Sequence, residues 1–138
     1  MKRLSLSILF LFSMGVSFAQ VSCELKIRVE NIKKLQGSMK IAIYDHEDHF
    51  LKREILSKGK PIEDHNVEFI FNGLGKGIYA ISVYHDENDN GELDANFMGI
   101  PSEPYAFSNN AKGMFGPPSF EDCQFEIVDG FQEIVISL

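Results

Sequence analysis

Leu25, Ile27 and Val29 alternate with Glu24, Lys26, Arg28 and Glu30, and the same period of two returns at Met39, Ile41 and Ile43. An alternation of this kind is satisfied by a strand with one wet face and one dry face, and by no helix. Val67, Phe69 and Phe71 predict a third strand, closed by the turn signals Asn72-Gly73 and Gly75-Lys76-Gly77. Tyr79, Ile81 and Val83 lie on one face of a central strand that ends at His85, with Ile78, Ala80 and Tyr84 on the other. Phe125 and Ile127 lead into Asp129-Gly130, a two-residue hairpin signal, and Ile134, Ile136 and Leu138 close the chain. A seventh strand is placed near Pro61 to Glu63, and residues 47 to 57 hold one short helix. Short strands with no amphipathic helix between them predict an all-β fold: an antiparallel two-sheet sandwich, immunoglobulin-like or transthyretin-like, with one long ordered loop. The expected core is Leu25, Ile27, Val29, Met39, Ile41, Ile43, Phe69, Phe71, Tyr79, Ile81, Val83, Phe125, Ile134 and Ile136.

The first nineteen residues join a basic start, Lys2 and Arg3, to an apolar run from Leu4 to Phe18 and the small-x-small sequence Ser17-Phe18-Ala19. This is the pattern of a secretory signal peptide over 1–19, leaving a single domain over 20–138 that is periplasmic or extracellular. The run is short for a membrane span, and no other run approaches the roughly 20 residues that one requires. Lipid attachment at Cys23 is disfavoured by the preceding Gln20-Val21-Ser22. The formal charge is -7, and loss of Lys2 and Arg3 makes the remainder more acidic still. Phosphate backbones require a basic stripe, so nucleic acid is not an expected partner.

In an oxidising compartment Cys23 and Cys123 are candidates for a disulfide. It would close a loop of about 100 residues, which the chain-entropy model values at about 4 to 5 kcal/mol. The alternative is two separate buried thiols.

Asp86 to Asp122 carries no strand or helix pattern of useful length, yet it is rich in Phe, Met, Tyr and Ile. A connection this long is functional or disordered, and this one is too apolar for a solvated linker. Phe97, Ile100, Tyr105, Phe107 and Phe120 are expected to fold against the sandwich as a satellite core. Phe97, Tyr105, Phe107 and Phe115 as an exposed platform for sugar or peptide is the other arrangement. The loop begins with Asp86, Asn88, Asn90, Gly91, Glu92 and Asp94, which match positions 1, 3, 5, 6, 7 and 9 of a calcium loop. Asp86, Asn88, Asn90, Glu92 and Asp94 are thus the candidate metal ligands, and calcium the candidate cofactor. Position 12, normally a bidentate Glu, is Phe97. A substitute ligand must come from Glu87, Asp89, Asn96, Glu103 or a loop carbonyl; without one, the segment is an Asn/Asp/Gly turn.

Other chemistry is thinly supported. His85 and Asp86 are adjacent on a strand and so face opposite sides, which favours loop anchoring by His85 over an acid-base dyad. His46 and His49 with Asp45, Glu47 and Asp48 offer zinc or copper ligands, but His65 is distant in sequence. No serine has a nucleophile-elbow context.

The chain resembles the bacterial domain of unknown function 2141 family, small exported proteins with a β-sandwich. The resemblance rests on Gly77-Ile78-Tyr79-Ala80, on Tyr84-His85-Asp86-Glu87-Asn88-Asp89-Asn90-Gly91-Glu92-Leu93-Asp94, on Gly99-Ile100-Pro101-Ser102-Glu103-Pro104-Tyr105-Ala106-Phe107-Ser108-Asn109-Asn110 and on Gly116-Pro117-Pro118-Ser119-Phe120. Pro104 and Ala106 stand where the family tends to write glycines. The resemblance implies fold and export, and no activity. The resulting expectation is a non-enzymatic module at the cell envelope that binds or assembles with an envelope protein, a peptide or a glycan. The rival is a hydrolase-like enzyme using His85 and loop carboxylates.

Overall fold

The structure is a computed structural model that describes residues 23–138; the expected signal peptide and the start of the domain at Gln20 lie outside the described residues. Among the described residues there are eight strands: β1 Cys23–Glu30, β2 Ser38–Tyr44, β3 Leu56–Pro61, β4 Val67–Leu74, β5 Gly77–Asp86, β6 Tyr105–Phe107, β7 Phe125–Ile127 and β8 Phe131–Ser137. They form two sheets, one ordered β4-β1-β8 and the other β3-β2-β5-β6, with β7 also paired to β5. The all-β sandwich follows from the period of two. Leu25, Ile27 and Val29 of β1, Met39, Ile41 and Ile43 of β2, Phe69 and Phe71 of β4, and Tyr79, Ile81 and Val83 of β5 are all buried between the sheets. Phe125 and Ile134 are half-buried at the margin of that core.

Three details differ from the sequence expectation. All strand pairs are antiparallel except β1 and β8, which run parallel with Ile27 opposite Ile134 and Val29 opposite Ile136. The Asp129-Gly130 turn does not fold β7 back onto β8: β7 pairs with β5, and the chain crosses there to the other sheet. Gly130, at φ +99°, makes this crossing, and its carbonyl accepts from the Glu24 amide at 2.9 Å. The strand expected near Pro61 to Glu63 lies earlier, as β3, and every one of its residues is exposed. An edge strand has no buried stripe to announce it; Lys58, Gly59, Lys60 and Pro61 are residues that discourage pairing with another chain. The Lys58 and Lys60 ammonium groups instead donate to the Ile70 and Glu68 carbonyls on the edge of β4. The short helix expected within 47 to 57 is a single 3-10 turn at Glu47–His49.

The outer face of the five-stranded sheet carries a smaller cluster, Tyr44, Phe50, Ala80, Phe107 and Cys123. A one-turn helix, α1 Phe120–Cys123, covers it, started by a capping box between Ser119 and Asp122. This arrangement overturns the disulfide. Cys23 lies in the core between the sheets and Cys123 on the outer side of the five-stranded sheet, so the sheet itself separates them. Both are free, buried thiols.

Candidate functional site

The site is built at the end of β5, where strand parity sends His85 inward and Asp86 outward. His85 is buried, and its Nε2 bonds the Gln36 carbonyl at 2.7 Å. Its backbone amide donates to the Pro104 carbonyl at 2.8 Å. The ring therefore ties β5 to the approach to β2, as expected of an anchor. Gly37, at φ +66°, allows that approach: a Cβ there would stand 2.0 Å from the Asp86 carbonyl oxygen.

Asp86 is fully buried and accepts from two loop amides, Asn90 to Oδ1 at 3.0 Å and Gly91 to Oδ2 at 2.9 Å. The Lys40 ammonium stands 3.7 Å from Oδ2 and supplies the counter-charge. Asn88, Asn90 and Asp94 meet at the mouth of the loop. Asp94 accepts from the Asn88 carboxamide at 2.7 Å and from the Asn90 carboxamide at 2.9 Å. The Asn88 Oδ1 accepts from the Asn90 amide, and the Asn90 Oδ1 from the Glu92 amide. Glu92 contributes main chain to this lattice, and its side chain is exposed. Four of the five candidate ligands thus contribute side chains to one hydrogen-bonded lattice anchored on Asp86.

The substitutes for the missing twelfth position are engaged elsewhere. Glu87 pairs with Lys34 at 2.5 Å, and Asp89 accepts from the Ser38 hydroxyl at 2.5 Å. Asn96 holds a separate tight turn through the amides of Met98 and Ile100. Glu103, buried, takes the Glu87 amide at 2.8 Å on one oxygen and the Asp94 amide at 3.0 Å on the other. Glu103 is thus the inner clasp of the loop, closing both ends of the acidic segment. Among the described residues no group of three or more His, Cys, Asp or Glu is placed to hold a metal ion; the loop's donors are carboxylates mixed with carboxamides and main chain.

The remaining histidines do not assemble a centre. His46 and His49 have ring centroids 5.7 Å apart, with His46 Nδ1 accepting from the Asp48 amide at 3.2 Å. His65 bonds the Ile32 carbonyl at 2.6 Å. Burial pushes the Cys123 thiol up to about 11, with the Asp122 carboxylate adding to the shift, which disfavours the thiolate.

The largest departure from expectation lies beyond Asp94. Of the aromatics and Ile100 expected to form a satellite core, Phe107 is buried and Phe120 half-buried, both against the outer cluster. Tyr105 and Ile100 are exposed, and Phe97 is 98 % exposed. Apolar composition demands a dry partner but does not say that the partner is in the same chain. Tyr105 and Ile100 instead border an open groove of about 780 Å³ on the outer face of the five-stranded sheet, and Phe97 is the chain neighbour of Met98 in its lining. Tyr44, Ser82, Tyr84 and Phe107 floor it; Leu93, Met98, Ile100 and Pro101 form one wall; Phe115, Gly116 and Pro117 face them, with Leu51 nearby. No Asp, Glu, Lys or Arg lines it. The hydroxyls of the floor are already used, Tyr84 donating to the Gly91 carbonyl at 2.9 Å and Tyr44 lying 3.3 Å from Ser82 Oγ. Sequence reasoning missed Tyr44, Ser82, Leu51 and Leu93 as neighbours, because they belong to four separate elements: β2, β5 and the loops that follow each. The available signal was the flanking of Phe97-Met98 and Met114-Phe115 by glycine and proline.

The hydrogen bond from Tyr84 to Gly91 joins the two halves of the site. The acidic loop is the buttress of one groove wall.

No helix among the described residues is long and apolar enough to cross a membrane. No curated protein and no solved structure matches the chain. The family described as "Uncharacterized protein conserved in bacteria (DUF2141)" matches residues 27–135, from the first core strand through the long loop to the last strand. The chain therefore belongs to the domain of unknown function 2141 family.

Proposed function

We propose that the chain is an exported, non-enzymatic binding or assembly module of the cell envelope, with the open groove as its binding surface. The observation that carries this reading is the uncharged groove, whose lining displays Met98, Ile100 and Phe115 to solvent. Contiguous apolar surface of this kind on a folded domain marks an interaction site. The burial of His85 on a main-chain carbonyl supports a module over an enzyme. An apolar fluorescent probe such as 1-anilinonaphthalene-8-sulfonate tests the surface: saturable binding to the native protein, weakened by Leu51→Asp, is the expected result. Absence of binding would remove the groove as a functional surface.

Calcium is the second part of the proposal. The donors suit a hard cation: Asp94 carries two oxygens, and the Asn88 and Asn90 carboxamides touching it present their own oxygens after a half-turn about the terminal bond. Asp86 accepts only one amide per oxygen and keeps further lone pairs. A bound ion would neutralise these carboxylates and fix the buttress of the groove. Calcium at a hundred times its dissociation constant should stabilise the fold by about 2.7 kcal/mol, and Asp94→Ala should abolish the increment. Equal melting temperatures in millimolar calcium and in excess chelator would leave a purely hydrogen-bonded loop.

A further inference from the structure

We propose that the open face is self-complementary and that the chain pairs through it with a second copy of itself. This deepens the reading of the groove as a binding surface by naming its occupant. The face carries a hole and knobs side by side. The hole is the groove; the knobs are Phe97, 98 % exposed, and Met114, 89 % exposed, which lie outside its lining but are the chain neighbours of two lining residues, Met98 and Phe115. A knob placed beside a hole on one rigid surface cannot enter that hole, but it can enter the hole of another copy. A two-fold axis makes the exchange reciprocal and closes the assembly at two.

The area agrees. Phe97 and Phe115, the latter 100 % exposed, present roughly 150 to 250 Å² each. With Met98, Ile100 and Met114, at 68 %, 54 % and 89 % exposure, the apolar surface carried by these two short stretches reaches on the order of 800 Å². Monomers rarely leave more than about 300 to 600 Å² of such surface in water. A standard interface takes about 800 Å² from each partner.

Charge points the same way. The chain has a formal charge of -7, so two copies repel over most of their surfaces. Neither the groove lining nor the turn from Ala95 to Pro101 contains a charged residue, and a like-charged copy can approach there without burying an unpaired carboxylate. The Phe97-Met98 knob is also held ready. Asn96 Oδ1 accepts from the Met98 amide at 2.9 Å and the Ile100 amide at 3.1 Å, while the Asn96 amide donates to the Ile100 carbonyl at 2.9 Å. A knob already ordered loses little conformational freedom on docking.

Sedimentation velocity on the purified protein, from about 1 µM to about 500 µM, tests the pairing. The expected result is a reversible monomer-dimer equilibrium, with Phe97→Ser and Phe115→Ser each raising the dissociation constant at least about tenfold. Ile70→Ser, exposed on the outer face of the other sheet, should leave it unchanged. With dissolved oxygen as oxidant and at the upper end of that concentration range, where the weakened pair still forms, mixing a Phe97→Cys copy with a Leu51→Cys copy should give a disulfide-linked pair, the two thiols giving up two electrons and two protons. A protein that stays monomeric throughout, or a dimer indifferent to both phenylalanine substitutions, overturns the pairing. A monomer that still binds the apolar probe in a Leu51-dependent way overturns the pairing but keeps the groove as a binding surface; a monomer that binds no probe removes both. Co-sedimentation of the monomer with neutral phosphatidylcholine vesicles would assign the face to lipid and overturn the pairing.

Discussion

The two faces of β5 are made by one run of ten residues and are finished in opposite ways. On the inner face Tyr79, Ile81 and Val83 are buried in the core between the sheets, and His85 is buried with its ring bonded to the Gln36 carbonyl. On the outer face Ala80 and Asp86 are equally buried, but each by a different local device: α1 with Phe50 and Phe107 over Ala80, and the acidic loop over Asp86. Between them Ser82 and Tyr84 floor the open groove. A continuous cover makes a core. An interrupted cover leaves a surface that the core does not require, and surfaces of this kind are open to binding.

Ile81→Ala sharpens the contrast most. It removes a fully buried side chain from the inner face, and cores of this kind lose about 2 to 5 kcal/mol on such a truncation. Urea unfolding of the variant measures it. A cost no greater than that of outer-face substitutions would erase the distinction between the faces.

Asp86→Asn comes next. It puts an amide group against one of two main-chain donors, Asn90 or Gly91, and removes the partner of Lys40. Loss of a hydrogen bond to a buried charged acceptor costs about 1.5 to 3 kcal/mol. Hydrogen exchange should quicken at Asn90 and Gly91 while the inner strands keep their protection. Uniform loss of protection across both sheets would show that the loop and the core unfold as one.

The inner face was legible in the sequence because burial there follows the parity of the strand. Leu25, Ile27 and Val29 are dry and their neighbours are wet, and nothing else is needed to orient β1. The outer face was not legible in that way. The alternation of β5 cannot distinguish Ala80 under a helix from Tyr84 under a groove, since both covers come from residues far along the chain. The acidic loop was legible in its residue types and its start. Its true clasp, Glu103, was legible only as one of several substitutes, because the loop's length decides which carboxylate reaches back. The disulfide failed for a related reason: sequence separation is silent on which side of a sheet a cysteine lies, and Cys23 and Cys123 lie on opposite sides of one.

The two thiols give a smaller, pH-dependent test of the same separation. Cys123 has an ordinary value of 9.0 and is raised by burial to about 11 in the fold. A raised folded value means that its contribution to stability is complete below pH 9 and is lost as the pH climbs through 11. Burial also raises Tyr44, Tyr79 and Tyr84 above 10.0, which extends the loss in the same direction. Melting temperatures should therefore fall above pH 9, less steeply in Cys123→Ala. Ellman's reagent should find two thiols after unfolding and none quickly before it; finding none after unfolding would restore the disulfide.

The smallest expected effect is the most informative about the outer face. Phe115→Ser removes a ring that is fully exposed, so nothing inside the molecule loses a contact. Stability should change by no more than about 0.5 kcal/mol, as for surface substitutions in general. If the open face is a binding surface, the same change weakens apolar-probe binding and self-association while the urea midpoint of the monomer stays put. A large loss of monomer stability would mean that Phe115 folds inward over the groove in solution, and that the outer face is finished like the inner one. Phe115→Ser is thus expected to change binding without stability and Ile81→Ala to change stability itself, and that contrast is what would distinguish the two sides of β5.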